Sequence, residues 1–109
     1  MLEDLLLPNE VIVFSQEFSG LEVGNQIFDN LAITNNRIIF YKRTGLIFRK
    51  DHVATIGLSK ITGMQFKEKG VISKKGVVTL HLKEENDMEL VAGLSTMKYL
   101  YQSLASKIQ

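Results

Sequence analysis

Ala32-Ile33-Thr34-Asn35-Asn36-Arg37-Ile38-Ile39-Phe40 sets two apolar runs on either side of an Asn-Asn pair. Two such runs meeting at two turn-forming residues predict a β-hairpin, because Asn tolerates the left-handed backbone of a tight turn. Upstream, Ile27, Leu31 and Ile33 fall on one side of a strand over 27–34. Downstream, Ile38 and Phe40 alternate with Arg37, Ile39 and Tyr41 over 37–43. A strand apolar on both faces belongs at the centre of a sheet or next to a helix. At the turn itself, Thr34 is expected to bond turn backbone and Asn36 to take a positive φ. Arg37 is expected to fork onto carbonyls or onto an acid across the sheet. All three are structural roles.

Working outward, the same grammar repeats. Short apolar runs separated by turn signals read as an all-β sandwich or barrel. Residues 10–18 form one such run, and Gly20 and Gly24 mark a loop over 19–25. Thr44-Gly45 is a second tight turn. Residues 46–58 read as one long strand with a bend at Lys50-Asp51, and 61–69 follow. Gly70 and Lys74-Lys75-Gly76 bracket a loop whose Val71 and Ile72 are expected to pack inward. Residues 77–83 alternate cleanly, Glu85-Asn86 turns, and 88–93 make the last strand.

From Ser95 the period changes to that of a helix. Leu94, Met97, Leu100, Tyr101, Leu104 and Ile108 share one stripe, while Lys98, Gln102, Ser103 and Lys107 face water. Ser95 or Thr96 is expected to cap its start. The chain therefore reads as mainly β, with about seven antiparallel strands within 10–93 and one helix over about 95–108 that plugs an open end of the bent sheet.

With 109 residues the chain fits one domain, 1–109. A domain of that size can bury roughly two-thirds of its unfolded surface. There is no cysteine, which excludes disulfides and thiolate metal sites and suits a reducing, cytoplasmic setting. The start is acidic, unlike a signal peptide. No run approaches the roughly 20 apolar residues of a membrane span. Net charge is only +1 but unevenly placed. Arg37 to Lys83 hold eleven Lys or Arg against two acids, whereas the first thirty residues hold six acids and no base. Such segregation marks an electrostatic partner or contact between copies.

Three stretches resemble the bacterial pleckstrin-homology-like domains. Leu6-Leu7-Pro8-Asn9-Glu10 is similar to their "L-x-P-x-E" lead-in, and Ala32 to Phe40 resembles their "L-T-N-x-R-I-I-F" hairpin. Ile56-Gly57-Leu58-Ser59-Lys60-Ile61-Thr62-Gly63-Met64 resembles their "I-x-Y-S-x-I-T-G-I" strand. The resemblance implies a pleckstrin-homology-like barrel capped by a C-terminal helix. It implies an adaptor: some such domains bind inositol lipids, some bind proteins, and the bacterial ones look like self-assembling modules. Lipid-binding members carry Lys and Arg at the first hairpin loop. Here that loop, Ser19 to Asn25, has no base and one acid, Glu22.

No chemistry-bearing constellation emerges. His52 and His81 lie far apart on separate strands, and a zinc site needs three or four ligands. No nucleophile elbow or phosphate-cradling glycine loop is present. No catalytic, metal or cofactor residue is assigned, and an enzyme is not expected. The basic stretch lacks the interleaved aromatics of single-strand binders, so nucleic acid is not expected either. The expected function is an interaction and self-assembly module, the partner being the protein itself or another protein. A basic edge around Arg43, Arg49 and Lys50 would meet an acidic edge of Glu84, Glu85, Asp87 and Glu89, head to tail. The alternative is peripheral contact with an anionic membrane through Lys67, Lys69, Lys74 and Lys75.

Overall fold

The computed structural model describes residues 2–45, 47 and 50–108. A 3-10 turn at Leu2–Leu5 precedes β1 (Ile12–Val23), β2 (Gln26–Thr34), β3 (Arg37–Thr44) and β4 (Lys50–Gly57). A second 3-10 turn at Leu58–Lys60 leads to β5 (Ile61–Lys69), β6 (Lys75–Leu82), β7 (Met88–Gly93) and α1 (Leu94–Ile108). The strands form one antiparallel sheet in the order β4-β3-β2-β1-β7-β6-β5.

β1 is the pivot of this sheet. It pairs with β2 through most of its length and with β7 only at Glu22 and Val23. A register shift between Glu17 and Leu21 marks a bulge, and bulges bend a strand. The bend lets the two halves of the sheet face each other. A single core results, with Leu21, Leu31, Ile33, Ile38 and Phe40 from one half and Val78, Leu80 and Leu90 from the other, all fully buried. Sheet hydrogen bonding does not close the barrel, because β4 and β5 do not pair.

α1 completes the core. Its stripe Met97, Leu100 and Leu104 is fully buried, as the helical period predicts. Tyr99 stacks at a tilt on Phe14 of β1, and Tyr101 on Phe66 of β5, so the helix spans the gap between the sheet's halves. Gly76 makes this seat possible. A Cβ there would lie 2.6 Å from Met97 Cβ and 3.1 Å from Phe66 Cε1, so any side chain would hold the helix off β6.

Several boundaries differ from the sequence expectation. β1 runs to Val23, so the expected loop over 19–25 shrinks to Gly24-Asn25; alternating Leu21 and Val23 carry the strand inward past Gly20. The span 46–58 is not one strand. Ile47 is a bend, β4 is Lys50–Gly57 and Leu58 opens the 3-10 turn, while Leu46, Phe48 and Arg49 lie outside the described residues. α1 starts at Leu94, which puts Ser95 and Thr96 inside its first turn rather than at the cap. The apolar character of β3 on both faces matches burial on both: Ile38, Ile39 and Phe40 are fully buried, with β3 lying between β2 and β4.

Candidate interaction surfaces

The hairpin at the centre of the sequence and the lead-in before β1 form one structural clasp. Glu10 is 6% exposed, and its carboxylate accepts from Arg37 Nε at 2.8 Å and from an Arg37 terminal nitrogen at 3.0 Å. Thr34 Oγ1 and the Leu7 amide also donate to the Glu10 carboxylate, at 2.7 Å and 2.9 Å. Arg37 also donates to the Leu5 carbonyl. This bidentate pairing, with the Leu7 and Thr34 bonds added, holds the Glu10 carboxyl down at a pKa of about 2. The Asn35-Asn36 turn needs no positive φ, contrary to expectation. Thr34 Oγ1 accepts from the amides of Asn36 and Arg37, and Asn35 Oδ1 accepts from the Val11 amide, so side chains close the turn.

The charged residues singled out from sequence fall in three places. Arg43 Nε donates to Asp51 Oδ1 at 2.9 Å across the β3–β4 hairpin, and the Tyr41 hydroxyl donates to the same oxygen. The Arg43 bond keeps the Asp51 carboxyl below its ordinary range. Burial first, and then the Asp51 carboxylate, raise the Tyr41 phenol. Lys50 is exposed at the start of β4, and Arg49 lies outside the described residues.

The acidic group is not on an edge strand, so the acidic edge expected from sequence is not one. Glu89 is on β7, which is paired with β6 on one side and β1 on the other. Glu84, Glu85 and Asp87 belong to the β6–β7 turn, and two of them pair within their own molecule. Lys60 Nζ bonds Glu85 at 2.9 Å, and His81 Nδ1 lies 3.1 Å from Asp87. The true edges are β4 and β5, an arrangement invisible in sequence because it depends on which strands cross beside β1.

Lys67, Lys69, Lys74 and Lys75 do come together, around the β5–β6 hairpin. Val71 and Ile72 at its tip do not pack inward; they are 92% and 98% exposed. They lie beyond the last β5–β6 pair, Lys69–Lys75, in a turn folded back through the positive φ of Gly70, so they stand at the apex of the hairpin.

Among the described residues no cluster of three His, Cys, Asp or Glu could hold a metal. A shallow depression of about 290 Å³ is lined by Gln26, Ile27, Phe28, Lys42, Thr44 and His52. Another of about 260 Å³ lies between β5 and the end of α1, over Met64, Tyr101 and Ile108. Neither brings a nucleophile against a base. No helix among the described residues is long and apolar enough to cross a membrane.

No family model and no curated protein matches the chain. Among solved structures it is similar to a pleckstrin homology domain from Shewanella amazonensis SB2B. The likeness has a TM-score of 0.67 at 14% identity and covers 98% of this chain and 91% of that one. Seven antiparallel strands bent around one core, a C-terminal helix plugging the gap, and this likeness together give the chain the fold of a bacterial pleckstrin homology domain.

Proposed function

We propose that the protein is a non-catalytic interaction module that self-associates through the free edge of β4. The observation that carries this reading is the state of that edge. β4 pairs with β3 over eight consecutive residues with no register shift, and nothing pairs with its other side among the described residues. Natural sheets blunt their edges with proline, bulges, short strands or covering elements. β4 has none of these, and its charges, Lys50 and Asp51, are confined to its first two residues: it is eight residues long, proline-free and regular, and most of it is exposed. β5, the other edge, has a register shift at its start, contacts with α1, and Lys67 and Lys69 near its end. An open, flat edge offers backbone groups to another strand.

A second β4 fits there. Antiparallel pairing about a two-fold axis at Val53 would oppose Lys50 to Ile56 and Asp51 to Thr55, with no like charges face to face. Val53, 42% exposed, would meet its own copy at the axis. Mass measurement by light scattering on wild type and Val53→Lys tests this. The wild type is expected to be a discrete oligomer. The variant, which opposes two lysines at the axis, is expected to be monomeric and folded, with a cooperative melt that no longer depends on protein concentration. A wild type that stays monomeric at high concentration refutes the proposal.

A further inference from the structure

The hairpin between β5 and β6 carries features that neither the core nor edge pairing uses. Gly70 has φ +96°, and a Cβ there would collide with the Ser73 carbonyl oxygen, so the chain doubles back sharply. This turn holds Val71 and Ile72 at the apex, 92% and 98% exposed. Nothing in the geometry of such a turn asks for aliphatic side chains, and Gly, Ser or Asn would make it without the cost of hydrating two apolar groups.

The cations beneath the apex are equally unexplained by the fold. Lys69 stands directly opposite Lys75 in the β5–β6 register, and Lys67 is on the same face, opposite Val77. Like charges directly opposite each other weaken a strand pair. The nearest acid to any of them is Glu22, 3.7 Å from Lys75. Lys67, Lys69 and Lys74 form no ion pair among the described residues. Glu68, opposite Gly76, points to the other face of the hairpin.

We propose that this tip is a membrane anchor. Val71 and Ile72 enter the interfacial layer of an anionic bilayer, and Lys67, Lys69, Lys74 and Lys75 hold the lipid phosphates and carboxylates. The shape of the tip favours a bilayer over an acidic protein. A stable protein interface needs a broad patch of roughly 800 Å² per partner. Two exposed aliphatics at a hairpin apex form a spike rather than a broad patch, a shape that inserts among lipid headgroups.

The experiment is co-sedimentation of the full chain with phosphatidylcholine vesicles, with and without phosphatidylserine. Binding is expected only to the anionic vesicles and is expected to fall with salt. Lys69→Gln with Lys74→Gln should weaken it about 25-fold, from about fivefold per lysine. Val71→Ser with Ile72→Ser should abolish the binding that survives moderate salt. The chain has no tryptophan, so Ile72→Trp supplies a single reporter whose emission should shift to the blue on anionic vesicles alone. All these positions are exposed, so melting should not change and each variant should fold. The proposal is overturned if anionic vesicles are not bound at low salt, if the tip variants bind as wild type does, or if the emission of the Ile72→Trp variant stays that of an indole in water. An acidic protein as the true occupant would appear as the first of these. Edge pairing by β4 can fail without affecting any of these results, and the reverse also holds.

Discussion

Gly76→Ala tests the packing of the helix on the sheet with a single methyl group. Gly76 is buried on β6 and its backbone is not in the left-handed region, so alanine is conformationally acceptable. The difficulty is space. The new Cβ would fall 2.6 Å from Met97 Cβ and 3.1 Å from a Phe66 ring carbon. Carbon atoms prefer a separation of roughly 3.5–4.0 Å, so the two backbones must part by about 1 Å. Met97 cannot swing aside, because its Cβ is fixed to the helix backbone; Met97→Ala would not relieve the clash. A gap of that size around Met97, Leu100 and Leu104 forfeits a quarter to a half of each dispersion contact along the seat. Overpacking of this kind costs about 1–3 kcal/mol, and the rigidity of the contact puts Gly76→Ala at the upper end. The fall in Tm should be roughly 10–20 °C. Urea denaturation followed by circular dichroism measures the loss of stability and a thermal melt the fall in Tm, with Gly57→Ala as control. A Cβ at Gly57 meets only Ser59 Oγ at 3.9 Å, so that change should be neutral or stabilising by up to about 1 kcal/mol. A Gly76→Ala variant within about 0.5 kcal/mol of wild type, the range of ordinary surface changes, would refute the described seating of α1.

Other perturbations give equally definite outcomes. Leu104→Asp, which places a charge in the fully buried helix stripe, should prevent folding, and a cooperative wild-type melt would show the helix undocked. Thr34→Val keeps the shape but leaves the Asn36 and Arg37 amides without their acceptor. It should cost about 1–3 kcal/mol in denaturant melts. Glu10 is held near a pKa of about 2, against 4.5 for the free group, so its contribution to stability is complete above pH 4.5. That contribution drains away as pH falls from 4.5 toward 2. Glu10→Gln should therefore be less stable at neutral pH but flatter through this acid window, and a parallel pH profile would contradict the clasp.

Much of this architecture is legible in the residues. The switch from alternation to a helical stripe after Gly93 places α1, because the period of burial is a local property. The hairpin at 35–36 is legible for the same reason. Glu10 and Arg37 stand out separately, in the lead-in and in the hairpin, but only the folded chain joins them, since 27 residues separate them. Strand order is the other failure of locality. Nothing in Met88 to Gly93 reveals that β7 crosses to pair with β1, and that crossing removes the acidic residues from the edge and leaves β4 free. Val71 and Ile72 mislead differently. Their composition argues for burial, and only the length of the turn and the Gly70 backbone show that they face outward.

Sedimentation velocity on the wild-type chain across protein concentration, at low and at high salt, tests self-association most directly. Edge pairing through β4 rests on backbone hydrogen bonds and Val53. It predicts one discrete oligomer that forms with concentration, persists in high salt and disappears in Val53→Lys. A monomer at every concentration in both salts would contradict it, and so would an oligomer that Val53→Lys leaves intact.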